Sequence, residues 1–194
     1  MKTMKQGEIS QLVKNKCEEL GGEFEFWPDL GIITCTLNSI ERVPELMELI
    51  RKVGFPDDAE YFSFEVKART GEGSFSYRIS KYRDDADAFY YARADVIESG
   101  RFGSSFYEIM RVVGKEEVER LKRALDDYKE KSGLSKVRVH FSCDRKGGYC
   151  SIDAVFDARP DRIDPAIDRE IIKSAKRLWN PDVMRVGERT YIVI

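Results

Sequence analysis

The sequence has few of the residues on which the most recognisable kinds of site depend. Histidine occurs once among 194 residues, glutamine twice and asparagine three times. No apolar run is long enough to cross a bilayer, and the first seven residues lack the apolar stretch of a secretory signal. We therefore expect a cytoplasmic protein that has no membrane partner.

The four cysteines do not form a metal-binding motif. No two of them are separated by only two residues, and a single histidine is available to complete a ligand set. Structural zinc sites combine four such ligands, usually as closely spaced pairs. The sequence therefore predicts no metal site, and we expect no cofactor.

Charged residues are abundant but balanced in sign. The chain has 33 lysines and arginines and 35 aspartates and glutamates, which gives a net charge of −2. A chain this close to neutrality is not expected to coat duplex DNA through charge alone, although a local basic face is compatible with it. The excess of charged over amide side chains is typical of thermophile proteins.

A rhythm of helix, strand, tight turn and strand occurs four times along the chain. The turns begin at positions 28, 70, 145 and 187, so the two turns within each half of the chain lie 42 residues apart. Apolar residues follow a helical period before each hairpin and alternate within the strands. This pattern indicates an internal duplication of one α-β-β-α-β-β plan.

The predicted fold class is α+β, with two tandem α-β-β-α-β-β halves. Each half is expected to form a four-stranded antiparallel sheet that carries two helices on one face. The halves are predicted at residues 1–82 and 115–194. Between them, residues 83–114 predict a helical connector, with one helix from Asp84 to about Ser99 and a short second helix that ends at Gly114.

The second hairpin has the clearest register. Apolar and polar residues alternate along both of its strands, and pairing them around residues 70–73 places Phe64 opposite Ile79 and Glu65 opposite Arg78. The apolar side chains then share one face, and an opposite-charge pair lies on the other.

A basic cluster on the polar face of that hairpin is the predicted binding site. It consists of Lys67, Arg69, Arg78, Tyr82 and Arg83. A basic strand face with an aromatic side chain at its edge can follow a phosphate backbone and stack a base. The alternative is an ordinary solvated face whose charges prevent edge-to-edge pairing.

The third hairpin contains two further pairs of facing residues. Its predicted register places His140 opposite Asp153, a combination that could act as a general base, although a cross-strand charge pair explains it equally well. The same register places Cys143 opposite Cys150, where a disulfide could form, whereas two reduced thiols are the expected state in a cytoplasm.

These features favour a non-catalytic binding protein that uses exposed sheet faces, with single-stranded nucleic acid or another protein as the partner. The first alternative is a small-molecule sensor or enzyme with a site in the cleft between the duplicated halves. A further alternative is an inhibitory or toxin-neutralising protein. The sequence leaves enzymatic activity open while favouring its absence, and it leaves the oligomeric state open.

Overall fold

The computed structural model describes residues 4–70, 73–82, 88–97, 106–132, 137–157, 166–179, 183–186 and 189–192. Within these ranges the chain combines helices with a large, mostly antiparallel sheet, which confirms the α+β class. The helices are α1 (Gln6–Glu19), α2 (Val43–Val53), α3 (Phe106–Ser132) and α4 (Ala166–Trp179), and a short 3₁₀ turn (Ile40–Arg42) precedes α2. None of the described helices is both long enough and apolar enough to cross a membrane.

Seven strands form one sheet in the order β1-β2-β3-β4-β5-β7-β6, and β8 and β9 form a separate two-stranded sheet. Their bounds are β1 (Glu23–Trp27), β2 (Ile32–Leu37), β3 (Tyr61–Thr70), β4 (Gly73–Tyr82), β5 (Ala88–Ile97), β6 (Val137–Asp144), β7 (Tyr149–Asp157), β8 (Val183–Val186) and β9 (Arg189–Ile192).

One face of the large sheet is covered by the helices. Helix α1 contacts β1 and β2, α2 contacts β3, α4 contacts β5, and α3 contacts β6 and β7. The register aligns the buried side chains into rows, one of which consists of Cys35, Val66, Tyr77, Ala92, Ala154 and Val139. Because strand side chains alternate between faces, the intervening polar residues all lie on the opposite face, which we call the open face.

Among the residues that the structure describes, two ion pairs join the helices of the two halves of the chain. Arg51 of α2 contacts Asp168 in the first turn of α4, and both side chains are buried. Lys176 of α4 contacts Glu41 of the 3₁₀ turn. A buried charge is tolerated only when it is paired, so the first of these contacts ties α2 to α4.

The predicted antiparallel arrangement of the first half is wrong at one pair of strands. Strands β2 and β3 run parallel, with Ile33 opposite Phe64. Residues 38–60, which include α2, form the crossover that parallel neighbours require. The predicted register of β3 and β4 is confirmed, because Phe64 lies opposite Ile79 and Glu65 opposite Arg78.

The predicted helix that begins at Asp84 is wrong where the structure describes it, because β5 is a strand between β4 and β7. Ala92, Ala94 and Val96 are buried and alternate with Arg93 and Asp95, which is the two-residue period of a strand. Alanine has a high helix propensity, but tertiary pairing outweighs so weak a preference.

The predicted break at Gly114 is also wrong, because α3 continues through it. A β-carbon at this glycine would lie 2.4 Å from the ring of Phe141. Gly114 therefore permits close packing of α3 on β6 and does not end the helix.

The second half does not form its own four-stranded sheet. Strands β6 and β7 join the large sheet through β5, whereas β8 and β9 pair only with each other among the described strands. The internal duplication and the division at residues 82 and 114 stay predictions.

Candidate binding groove on the open sheet face

The open face has two regions. We call the region formed by β1 to β4 the groove end and the region formed by β5, β7 and β6 the far end. At the groove end an open depression of about 700 Å³ lies over the first four strands and reaches Asp95 of β5. The residues that line it include charged side chains of both signs, threonines, serines and large apolar side chains, among them Trp27 and Leu30.

Strand register places the groove residues in rows across three strands. Trp27, Ile32 and Ser63 form one row, Glu25, Thr34 and Glu65 form the next, and Glu23, Thr36 and Lys67 form the third. Arg69 follows Lys67 on the same face of β3. Strand β2 therefore forms a floor of threonines between β1 and β3.

One side of the groove is acidic. Glu23 and Glu25 project from β1, and both are exposed. Among the described residues, neither carboxylate forms an ion pair. Since β1 is an edge strand of the sheet, this acidic side is open to solvent.

The other side of the groove has an excess of positive charge. The carboxylate of Glu65 lies 3.2 Å from the amino group of Lys67 and 2.9 Å from a guanidinium nitrogen of Arg78. Burial raises the pKa of Glu65, but hydrogen bonds and charge attraction from Arg78 and Lys67 outweigh burial and hold it below its usual value. One anion is thus shared by two cations, and Arg69 adds a third positive charge beside them.

The structure describes the side chains of only three members of the predicted basic cluster. Lys67 and Arg69 line the groove, and Arg78 lies beside them through Glu65. Tyr82 is the last residue of β4 and pairs with Tyr61, but its side chain lies outside what the structure describes. Arg83 lies outside the described residues.

At one end of the groove, large apolar side chains are unusually exposed to solvent. Trp27 is 53% exposed and Leu30 is 65% exposed, and Tyr61, two residues before Ser63 on β3, is 50% exposed. The turn that carries Leu30 is held against β3, because the Ser63 N–H donates to the carbonyl oxygen of Gly31 at 2.8 Å. Exposed apolar side chains beside one another are a feature of binding surfaces.

At the far end, Arg93, Asp95 and Asp153 are paired within the sheet. The guanidinium of Arg93 lies 2.7 Å from the carboxylate of Asp95 and 3.8 Å from that of Asp153, and it also packs over the ring of Tyr149. His140 lies opposite Asp153, as predicted, and is exposed. The ion pair with Arg93 gives Asp153 a structural role, and general-base chemistry at His140 stays a prediction.

Two disulfides are present. Cys143 is joined to Cys150 across β6 and β7, at a sulfur–sulfur distance of 2.03 Å. Cys17 of α1 is joined to Cys35 of β2, a pair that sequence reasoning does not identify because the two residues lie on different kinds of element. The second bridge fastens α1 to the buried side of the groove floor.

Sequence reasoning also misses the acidic and aromatic residues of β1. Glu23, Glu25 and Trp27 alternate with Phe24 and Phe26, and this alternation is the signal that places all three on one face. Their position beside Lys67 depends on the parallel pairing of β2 with β3, which no local pattern indicates.

Comparison of the chain with protein-family models and with curated proteins finds no match. Among the described residues, no group of three or more histidine, cysteine, aspartate and glutamate side chains is arranged to hold a metal ion.

Proposed function

We propose that this protein is a non-catalytic binding protein whose groove receives a segment of a partner protein. The observation that carries the proposal is the groove of about 700 Å³ with the half-exposed Trp27 at one end. Tryptophan is among the residues that contribute most to protein interfaces, because its large surface loses water on binding. A neighbouring Leu30 extends the apolar contact area.

A protein partner fits the charges better than single-stranded nucleic acid does. A phosphate backbone would approach Lys67 and Arg69, but it would also approach Glu23 and Glu25 across a groove only two strand spacings wide. Like charges at that distance oppose binding. Polypeptides carry charges of both signs and can satisfy both sides.

The small-molecule alternative has weaker support. A second depression of about 550 Å³ is lined by residues of α3 and by Arg177 of α4, so it is not the cleft between the halves that this alternative predicts; it contains the buried Glu117. However, the carboxylate of Glu117 contacts Arg120 at 3.0 Å and Arg177 at 2.6 Å. These ion pairs explain its burial without a ligand.

A displayed library of random dodecapeptides, selected on the purified protein, tests the proposal. Selected peptides should lose binding when Thr34→Arg fills the groove floor, whereas Ser142→Arg, on the far end of the same face, should leave it unchanged. Trp27→Ala should weaken binding by about 2 kcal/mol without unfolding the protein, because the ring is half exposed. Selected peptides that bind the Thr34→Arg variant equally well would refute the groove as the site.

A labelled oligothymidylate tests the nucleic-acid version in parallel. A protein-binding groove predicts no measurable binding of this probe at physiological salt. Binding that weakens after charge reversal of Lys67, Arg69 and Arg78, with a shallower salt dependence, would favour nucleic acid and overturn our proposal.

A further inference from the structure

The two sides of the groove carry opposite charge, and this arrangement specifies the chemistry of the partner. We propose that the groove binds an extended polypeptide segment in which basic and acidic residues alternate. This inference rests on the proposed function, because it names the partner of the same groove. Its elements are the acidic strip of Glu23 and Glu25 on β1 and the basic strip of Lys67 and Arg69 on β3.

The separation of the two strips suits a single extended chain. Strands β1 and β3 are separated by β2 alone, so their backbones lie about 10 Å apart at roughly 4.8 Å per strand spacing. An extended chain that lies along β2 would therefore have the acidic strip on one side. On the other side it would first pass Glu65, whose charge is offset by Lys67 and Arg78, and then the basic strip. A helix is about 10–12 Å wide with its side chains, so it would span the whole separation of the two strips and present only one of its faces to them.

The spacing along the strands also matches an extended segment. Glu23 and Glu25 are two residues apart on one strand face, as are Lys67 and Arg69. Successive side chains of an extended chain point to opposite sides, and those on one side recur every second residue. Basic residues at one parity would meet the β1 glutamates, while acidic residues at the other parity would meet the β3 cations.

The remaining groove residues supply less specific contacts. The hydroxyl groups of Thr34 and Thr36 on the floor can donate and accept hydrogen bonds, so they can contact peptide groups of any sequence. Trp27 and Ile32 lie at the end of the groove away from Arg69. The alternating segment is therefore expected to carry one apolar residue at the end that reaches Trp27.

Two labelled peptides of identical composition test the inference by fluorescence anisotropy at about 50 mM salt, where charge interactions are weakly screened. One has a leucine followed by four Lys-Glu repeats, and the other has a leucine followed by four lysines and then four glutamates. The alternating peptide should bind roughly tenfold more tightly, the effect of a few exposed ion pairs. Equal binding of the two peptides would overturn the inference.

Charge reversal of one strip at a time supplies the second arm. With Glu23→Lys and Glu25→Lys, both sides become basic, so preference should move from the alternating peptide to an oligoglutamate. With Lys67→Glu and Arg69→Glu, preference should move to an oligolysine. Arg138→Glu, an exposed reversal on β6 outside the groove, should change neither preference. Variants that keep the original preference would also contradict the inference.

The two levels of the proposal fail in different ways. If library-selected peptides depend on Thr34 and Trp27 but are indifferent to both charge reversals, the groove binds protein and the alternating-charge inference is wrong. If no selected peptide depends on Thr34, the proposed function itself is wrong.

Discussion

The groove end and the far end of the open face carry similar numbers of acidic and basic side chains but arrange them differently. At the far end, Arg93 lies between Asp95 and Asp153 and packs over Tyr149, so opposite charges meet within the sheet. At the groove end, Lys67 and Arg78 share one carboxylate, and the glutamates of β1 lie on the opposite side of β2. The glutamates of β1 are thus held apart from the cations of β3, although Glu65 of β3 is itself paired with Lys67 and Arg78.

This difference explains why only one end is expected to bind a partner. Ion pairs formed within the sheet must be broken and desolvated before a ligand can replace them. Among the described residues, the glutamates of β1 and Arg69 form no ion pair, so they can gain a new partner without losing an old one, whereas Lys67 would have to share or exchange Glu65. Composition alone therefore does not identify a binding face, and the positions of the charges relative to one another do.

If one framework of helices supports both ends of the sheet, breaking the buried ion pair between α2 and α4 should have the largest effect on stability. Asp168→Asn should destabilise the protein by about 3–5 kcal/mol, because it leaves the buried guanidinium of Arg51 without its counter-charge. Urea unfolding gives the free energy of unfolding of each variant.

The matched control for this prediction is Arg51→Met with Asp168→Leu. Replacing both charges with apolar side chains of similar size should restore most of the stability, since neither buried charge remains. A double variant as unstable as Asp168→Asn would show that the pair is not the cause.

The next largest effect compares the two disulfides. Alanine at both Cys17 and Cys35, which are 18 residues apart, should cost about 3 kcal/mol, and alanine at both Cys143 and Cys150, which are 7 residues apart, about 2.5 kcal/mol. The longer loop loses more conformational freedom when it is closed. Urea unfolding with and without a reductant measures both values. If a reductant leaves the wild-type unfolding curve unchanged, neither bridge contributes to stability.

The local features of the fold, such as the register of two strands joined by a short turn, follow from the sequence. The β3–β4 register is predictable because alternating strands are joined by a short turn, so that one register alone puts Phe64 and Ile79 on the same face as their apolar neighbours. The partners of His140 and Cys143 across β6 and β7 are predictable in the same way.

The long-range features do not follow from the sequence. The sequence predicts a helix in place of strand β5, because alanines preceded by acidic residues are typical of a helix start. The groove depends on β1 and β3 lying on either side of β2, and this results from the parallel crossover through α2. No spacing in the sequence links Glu23 with Lys67, so half of the candidate site is recognisable only in three dimensions.

A smaller effect tests how firmly the apolar end of the groove is positioned. Gly31 has a φ of +64°, and a β-carbon there would lie 2.3 Å from the carbonyl oxygen of Tyr61. Gly31→Ala should cost about 2–3 kcal/mol from backbone strain and this clash. Gly21→Ala is the control, because Gly21 has a similar φ of +75° with nothing within 4 Å, and it should cost about 1 kcal/mol. Equal losses would mean that the turn moves freely away from β3.

The smallest effect concerns the charge that organises the basic side of the groove. The cations Arg78 and Lys67 hold the pKa of Glu65 below its usual value of 4.5 despite burial, which raises it. The unfolded chain therefore binds this proton more readily than the folded protein. The stability contributed by the ionised Glu65 is fully present above about pH 4.5 and is lost as the pH falls through the lower folded-state pKa.

Glu65→Gln measures this contribution directly. At neutral pH the variant should be less stable than the wild type by about 1 kcal/mol or less, because both cations are half exposed and solvent screens them. The difference should shrink below pH 4.5, when the wild-type carboxylate takes up its proton. Arg78→Gln removes the main partner of the Glu65 carboxylate. This variant should therefore also lose less stability than the wild type as the pH falls below 4.5. A constant difference between wild type and Glu65→Gln from pH 7 to pH 3 would show that Glu65 is not held ionised by its neighbours, and the basic side of the groove would then lack the shared anion that sets its charge.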